Sequence, residues 1–136
     1  MSNPRYRPRE YATAPRDFGH KENIEWVEPT ESWTARERSQ LTAAQLQHRI
    51  CFGIQRKWMP SSQTKKITTF AAALGMPYSR LQHILSGHSV LQFEDFGRLY
   101  AHIGPQMEVW LLTGKNAHIA RGIELAQRRM VEERAR

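Results

Sequence analysis

Apolar and small residues in the range 67–87 recur at the positions where two short helices would cross over a tight turn. The apolar residues before Gly75 share one helical face, and those after it recur three residues apart, the spacing of a helix that packs back onto the first. Gly75 suits the left-handed conformation of a tight C-cap, and Ala71 is small enough to let the helices approach. The pattern predicts helices over about 68–74 and 77–85. The side chains predicted to be buried are Phe70, Ala71, Leu74, Met76, Leu81 and Ile84.

Further helices are predicted on both sides of this pair. A helical stripe predicts a first core helix over about 43–58, and two capping boxes begin at Thr34 and Thr42 before it. The second box is the stronger one, so residues 35–40 extend this helix or form a short separate one. Three more helices follow: a fourth that ends at Gly104, a short fifth, and a sixth near the C-terminus. The stripes of the fourth and sixth helices are Phe93, Phe96, Leu99, Tyr100 and Ile103, and Ile119, Ile123, Ala126 and Met130.

The absence of any period-two alternation over a useful length predicts an all-α fold. We expect an extended N-terminal arm over residues 1–33, a helical domain over 34–114 and an amphipathic basic helix over 115–136. The arm holds four of the seven prolines and no sustained period, which is typical of a segment that is mobile when free. Its apolar residues would anchor it on the core or on a partner. These are Trp26, Val27 and Trp33.

The composition narrows the class of protein. Hydrophobic residues make up 40 % of the chain, with no long apolar run that predicts a membrane span. The polar N-terminus has no hydrophobic segment of a secretory signal. Cys51 is the single cysteine and lies in an apolar stretch, which predicts a core filler in a reducing cytosol. We therefore expect a cytoplasmic protein, associated with the nucleoid.

Catalytic chemistry is not indicated. The six histidines show no metal-ligand spacing, and no Gly-rich phosphate loop occurs. Acidic residues cluster in 17–33, but they show no pattern that would pair two carboxylates for acid–base catalysis. Cys51 has no evident activating base. We expect no enzyme, no cofactor, no metal and no small-molecule ligand.

The formal charge of +7 lies beside the predicted helix pair rather than within it. Residues 61–114 hold four positive and three negative side chains, whereas residues 1–16, 34–60 and 115–136 carry the excess. Affinity for a polyanion comes mainly from Lys and Arg that neutralise phosphates. The distribution therefore suits a reading helix flanked by phosphate-contacting segments.

The central pattern resembles the twenty-residue signature of the lambda-repressor-like (Cro/repressor, XRE-type) helix-turn-helix family. The segment after it, S-G-x-x-x-L-x-F-x-x-F-x-x-L-x-x-x-I-G, is similar to the family's loop and fourth helix, and the likeness covers about residues 42–112. The family often has a polar residue, commonly Gln, at the first position, where this chain has Ile67. Phosphate anchoring would then pass to Lys65, Lys66 or the backbone. With Ile67 as the first position, the matching residues are Phe70, Ala71, Leu74, Gly75, Met76, Leu81 and Ile84.

The resemblance implies a five-helix domain whose second motif helix, from about Pro77 to Leu85, enters the major groove of DNA. Gln82 is the best-placed reader, because its amide can both accept from and donate to adenine. Arg80 would pair with guanine or contact a phosphate. The alternative is that these residues are merely the polar surface of a helix. The candidate base-contacting residues are Tyr78, Ser79, Arg80, Gln82 and His83.

Residues around the motif are candidates for backbone contacts. Those expected at phosphates are Lys65, Lys66, Arg56, Lys57 and Ser86. The basic N-terminal segment with Arg5, Arg7 and Arg9 would enter a neighbouring minor groove or remain disordered. A homodimer through Trp110 or the Ile119/Ile123/Met130 face would match inverted half-sites about one helical turn apart.

These patterns indicate a sequence-specific regulator of transcription that binds double-stranded DNA, more specifically a bacterial or phage repressor. A different class is a protein-interaction adaptor, antitoxin-like or associated with a larger machine, that docks through the helical core and Trp26, Trp33 and Trp110. Non-specific nucleoid or RNA binding is a third reading.

Overall fold

The computed structural model describes residues 6–61, 66–113 and 117–135, and for residues 61, 113 and 117–125 it describes the backbone alone. The described residues contain no β-strand, so the predicted all-α class is confirmed. The α-helices of eight residues or more are α1 (Ala35–Gly53), α2 (Ile67–Leu74), α3 (Tyr78–Leu85), α4 (Phe93–Ile103), α5 (Gln106–Thr113) and α6 (Ala117–Ala135).

The first helix begins earlier than the stronger capping signal predicts. The Thr34 hydroxyl accepts from the Glu37 amide at 3.2 Å, and the Glu37 carboxylate accepts from the Thr34 amide at 3.1 Å. Thr42 lies inside α1, where its hydroxyl donates to the carbonyl of Arg38, so the second predicted box is wrong. The turn before Thr42 has tertiary partners, because Leu41 is buried. Residues 35–40 are therefore an extension of α1, which continues through a π-helical turn, Ile54–Trp58, and a last turn, Met59–Ser61.

The two short helices α2 and α3 meet at a tight turn. Gly75 has φ 70° and ψ 33°, its amide donates to the Ala72 carbonyl at 3.1 Å, and the Met76 amide donates to the Ala71 carbonyl at 3.0 Å. This pair of hydrogen bonds is a Schellman C-cap, which favours glycine at its left-handed position. All six side chains predicted to be buried in this segment are at most 7 % exposed. The predicted helix pair and its buried face are confirmed.

The core lies around α1. The buried side chains of α1 and its continuation (Ile50, Cys51, Ile54 and Trp58) pack with residues from α2 to α5. Cys51 is fully buried, as predicted, and this burial raises the pKa of its thiol. The partners from the other helices are Phe70, Ala71, Leu74, Leu81, Ile84, Leu85, Leu99 and Met107.

Residues 6–33 are folded onto the core rather than extended, contrary to the expectation of an arm. They form two 3-10 turns, Pro8–Tyr11 and Pro15–Asp17, and a β-bridge between Ala12 and Trp26. Phe18 is buried in the core. The expectation failed because aromatic residues, spaced without a period, bury enough apolar surface to order this segment.

His48 of α1 is the polar anchor for the N-terminal segment. Its Nδ1 atom accepts from the amide of Gly19 at 2.8 Å, so Nε2 carries the proton and donates to the carbonyl of Glu22 at 3.1 Å. The rings of Phe18 and Trp26 pack edge-on against it. Desolvation by this burial lowers the pKa of His48. Trp26 is therefore anchored on the core, as one of the two alternatives expected, whereas Val27 remains exposed.

Trp110 is partly buried and packs against α1, and its expected role in a dimer stays a prediction. Its Nε1 atom donates to the carbonyl of Arg49 at 2.7 Å, and its ring stacks on Phe52. A Cβ at Gly53 would lie 2.8 Å from the same Nε1 atom. Trp110 thus holds α5 against α1 at a point where only glycine gives enough room.

Two predicted helix faces carry exposed apolar residues. Phe93 is 93 % exposed, because it is the first residue of α4, after the N-cap Gln92. In α6 the side chains of residues 126–135 are exposed, including Met130 at 55 %. The side chains of Ile119 and Ile123 lie outside the described ones. Within the described ranges, no helix combines the length and apolar character that crossing a bilayer requires.

We predict that stability decreases on acidification through His48. The folded-state pKa lies below the ordinary value of about 6.5, so the unfolded chain binds the proton more readily. The contribution is complete above pH ~6.5 and is lost as the pH falls through the lowered pKa. Urea unfolding of wild type and His48→Gln between pH 7.5 and 5 measures this effect. The variant should lose about 1–3 kcal/mol at pH 7.5 and show a weaker pH dependence.

His20→Gln is the matched control, because His20 is exposed and its removal should leave the pH dependence unchanged. Identical pH profiles for wild type and His48→Gln would contradict the assignment.

Candidate nucleic-acid interface

The two faces of α3 are chemically distinct. Leu81, Ile84 and Leu85 are buried against the core. The opposite face is exposed, and the N-cap residue Pro77 makes no side-chain hydrogen bond to the first turn. The backbone N–H groups at this end therefore lack a side-chain acceptor from the N-cap. The exposed polar side chains are Tyr78, Ser79, Gln82 and His83.

Side chains of α1 satisfy the last carbonyl groups of α3. Gln47, Cys51 and Gln55 are spaced four residues apart and so lie along one face of α1. The Cys51 thiol donates to the carbonyl of Ile84 at 3.3 Å, and the Gln55 amide donates to that of Leu85 at 3.4 Å. A helix end leaves its last carbonyls without intrahelical partners. These donors therefore fix the C-terminal end of α3 on α1.

Gln47 makes the most extensive of these contacts. Its Nε2 atom donates to the carbonyls of Ile84 at 3.0 Å and Ser89 at 2.9 Å, and its Oε1 atom accepts from the amide of Leu91 at 2.8 Å. The side chain is buried. One buried carboxamide thus joins the end of α3 to both sides of the following loop.

The loop after α3 is packed against the N-terminal segment. Gly87 has φ +76°, and a Cβ there would lie 2.7 Å from the ring of Phe18 and 2.9 Å from the Cβ of Arg9. Glycine is required for both the conformation and the close approach. The Ser86 hydroxyl donates to the carbonyl of Gln82 at 3.0 Å. Its proton is therefore used within the chain, and the phosphate contact expected of Ser86 stays a prediction.

Basic side chains of the N-terminal segment lie next to this loop. The Arg9 amide donates to the carbonyl of Gly87 at 3.1 Å, and Nη1 of Arg9 donates to Nε2 of His88 at 2.5 Å. The rings of His88 and His83 are 6.1 Å apart. Arg7 and Arg9 are therefore attached beside the C-terminal end of α3, not on a free arm as expected for a minor-groove contact. Arg5 lies outside the described residues.

Desolvation and neighbouring positive charges alter the titration of His88, which lies at the surface. Desolvation, followed by the positive charges of Arg9 and Arg7 and the neighbouring His83, lowers the pKa of His88. A neutral imidazole can accept the hydrogen bond from Arg9, whereas a protonated one cannot. The positive charge at this point of the surface thus comes from the arginines.

Arg80, expected at a guanine or a phosphate, has an ion-pair partner within the chain. Its Nη2 atom lies 2.6 Å from Oδ2 of Asp95, a buried carboxylate that also accepts from the amide of Gln92 at 2.9 Å. The same nitrogen donates to the carbonyl of Val90. Releasing the guanidinium to DNA would leave a buried charge unpaired, which is costly. Arg80 therefore ties α3 to α4.

Two of the residues expected at phosphates also have partners within the chain. Arg56 donates to the carbonyl of His20, and Nζ of Lys57 lies 5.1 Å from the ring centroid of Trp110. Lys66 is exposed at the N-cap of α2. It takes part in none of the ion pairs found in the described part of the chain. Lys65 lies outside the described residues.

Sequence reasoning missed Gln47 and the pairing of Arg9 with His88. A signal for Gln47 was present, because polar residues at 47 and 55 interrupt an otherwise apolar face of α1 at four-residue spacing. No local signal relates Arg9 to His88, which are 79 residues apart.

Comparisons with protein-family models, with curated proteins and with solved structures found no match for this chain. The case for a function therefore depends on the site itself.

We predict that Gln47→Leu destabilises the fold by about 2–5 kcal/mol, because each buried group left without a partner costs about 1–3 kcal/mol. Urea unfolding measures the change, and hydrogen exchange at the Leu91 amide reports the freed donor. Gln45→Leu is the matched control two positions away on α1. Equal effects of the two substitutions on the free energy of unfolding would show that the Gln47 hydrogen bonds add no stability of their own.

Proposed function

We propose that the protein is a sequence-specific, double-stranded DNA-binding regulator of transcription with a lambda-repressor-like helix-turn-helix arrangement. The main support for this proposal is the exposed polar face of α3. The helix is tied to α1 at its C-terminal end and to α4 through Arg80. A helix that reads DNA must present polar side chains outward while its position is fixed by the core.

The corner between α2 and α3 supports this arrangement. Ala71 is buried where the helices cross, and the Schellman cap at Gly75 sets the change of direction. Nη1 of Arg98 in α4 donates to the Gly75 carbonyl at 2.5 Å, which braces the turn from outside. These features agree with those the family resemblance implies.

In this proposal Gln82 reads adenine through a bidentate amide contact. Ser79 bonds a base or a phosphate, Tyr78 packs on a thymine methyl group, and His83 donates to a guanine acceptor. Arg80 is no longer among the readers. Lys66 contacts a phosphate near the start of α2, where the first-turn amides are also without a side-chain cap.

The simplest mechanism of repression is occupancy of the promoter by the protein. The bound protein would cover promoter DNA and block polymerase, and such a role in a bacterial or phage system places it on the nucleoid in the cytoplasm. The formal charge of +7 supports a polyanionic partner, with affinity that falls steeply as salt rises.

The adaptor alternative has one specific observation in its favour. A largely apolar depression of about 260 Å³ lies among α1, α4, α5 and the loop before α4. The exposed Phe93 is among the residues that line it. The tryptophans that first suggested docking are partly buried and pack on aromatic neighbours within the chain: Trp26 on Phe18, Trp33 on Tyr11 and Trp110 on Phe52. Salt-insensitive binding to a protein partner, in place of DNA, would favour this alternative.

We predict that Gln82→Ala lowers affinity for the selected DNA site by about 5- to 150-fold, the value of one bidentate base contact. Binding to scrambled DNA should not change. Fluorescence anisotropy on a site selected from a random pool measures both. Ser79→Ala should act in the same direction.

Gln106→Ala, at the start of α5, is the matched control and should bind as wild type. Equal affinity of wild type for selected and scrambled DNA would refute sequence-specific reading.

A homodimer through α6 completes the proposal. One copy of α3 offers only four exposed readers, whereas a two-fold pair would read two half-sites. The last ten residues of α6, 126–135, are exposed, and an isolated helix of this length is marginal in water. Covering the face that carries Met130 with the same face of a second copy would stabilise both.

We predict that Met130→Asp converts the dimer to monomers in sedimentation velocity, because it places charges in the seam. Binding to paired half-sites should fall by at least about tenfold, while binding to one half-site is retained. Val131→Asp, on a neighbouring face of α6, is the control. A dimer that resists Met130→Asp would exclude this seam.

A further inference from the structure

Four basic side chains from two distant parts of the chain lie near one another at the C-terminal end of α3. They are Arg7, Arg9, His83 and His88, called here the Arg–His cluster. Arg9 and His88 are joined directly through Nη1 and Nε2, and the backbone of Arg9 is joined to Gly87 by a second hydrogen bond. The two segments are therefore attached both by their main chains and by their side chains.

The loop that carries His88 is held in place before any ligand binds. The carbonyl of His83 accepts from the amides of His88 and Ser89 at 2.9 and 3.1 Å. The side chain of Gln47 donates to the carbonyl of Ser89. Pro8 is buried between the two arginines. Preorganised donors bind an anion without a large ordering cost.

Positive charge in the cluster lacks a carboxylate partner. None of the ion pairs found in the described part of the chain includes Arg7 or Arg9. The charged and titratable groups that act on His88 are Arg9 and Arg7 from the 3-10 turn and His83 from α3. All of them disfavour its protonation, so an added negative charge would have the opposite effect.

We propose that Arg7, Arg9 and His88 of the Arg–His cluster bind one phosphodiester of the DNA backbone beside the bases read by α3, including the base read by His83, and that His88 takes up a proton as the phosphate binds. The choice of DNA as the ligand rests on the proposed function. Guanidinium groups match phosphate oxygens with two parallel hydrogen bonds. The phosphate oxygen replaces His88 as the acceptor for Arg9, and the protonated imidazole becomes a second donor to the same phosphate.

Proton uptake gives the proposal a distinctive signature. Because the bound phosphate favours the charged form of His88, affinity for duplex DNA should rise as the pH falls from 7.5 to 6.0. His88→Gln should remove most of this rise, and Arg9→Gln should weaken binding by roughly tenfold at low salt. The loss should be equal for selected and scrambled DNA, with a salt slope reduced by about one.

The experiment uses the full chain and measures anisotropy of labelled duplex DNA at the two pH values. His102→Gln is the matched control, since His102 lies on α4 beside Phe70 and should leave the pH effect intact. Arg7→Gln is a second variant at an exposed side chain, which keeps the test decisive if Arg9→Gln fails to fold. NMR titration of the histidine Cε1 protons with inorganic phosphate adds a readout that needs no DNA, and His88 should shift first.

The outcomes separate this inference from the proposed function. Loss of specificity in Gln82→Ala would support α3 as the helix that reads DNA. If binding and pH dependence are unchanged in the Arg9 and His88 variants, the phosphate site at the Arg–His cluster is refuted. If DNA is bound without sequence preference and His88→Gln still removes the pH effect, the phosphate site is supported. Sequence-specific reading by α3 is then refuted. Equal pH-dependent binding to duplex RNA would overturn the assignment to DNA.

Discussion

The carboxamide of Gln47 joins three parts of the chain, and the orientation of α3 depends on it. Because α3 has only eight residues, its C-terminal carbonyls are a large share of its hydrogen-bonding groups. Gln47, Cys51 and Gln55 supply donors to that end from a single face of α1. Since each buried carbonyl must be satisfied, α3 cannot rotate about its axis without losing these bonds. The direction of its exposed side chains is therefore determined by α1.

The N-terminal segment contributes to the same region from the opposite direction. Phe18 and Arg9 approach Gly87 so closely that no Cβ fits, and His48 anchors the segment through Gly19. The loop after α3 is thus enclosed between α1 and residues that precede it by about 70 positions. A segment that composition alone describes as mobile becomes one wall of the candidate site.

The helices and the buried face of α2 and α3 could be predicted because helical periodicity and glycine caps are local signals. Phe70, Leu81 and Gly75 have the expected burial or conformation. The partners of Arg80 and Trp110 within the chain could not be predicted, because they are remote in sequence and leave no periodic trace. The same applies to the N-terminal segment, whose aromatic residues bury surface without regular spacing. The exposed polar side chains of α3 were predicted as one face, and DNA as their ligand remains a proposal.

Under the proposed function, the division of α3 into two faces determines which positions could be varied to change the DNA sequence that is bound. Positions 78, 79, 82 and 83 are exposed and are not among the residues that fill the core, so they form a compact set for combinatorial libraries. Position 80 is excluded from such a library, because Asp95 would be stranded without its cation. An altered-specificity series built on this scaffold would therefore vary four residues and hold the fifth constant, unless positions 80 and 95 are exchanged together.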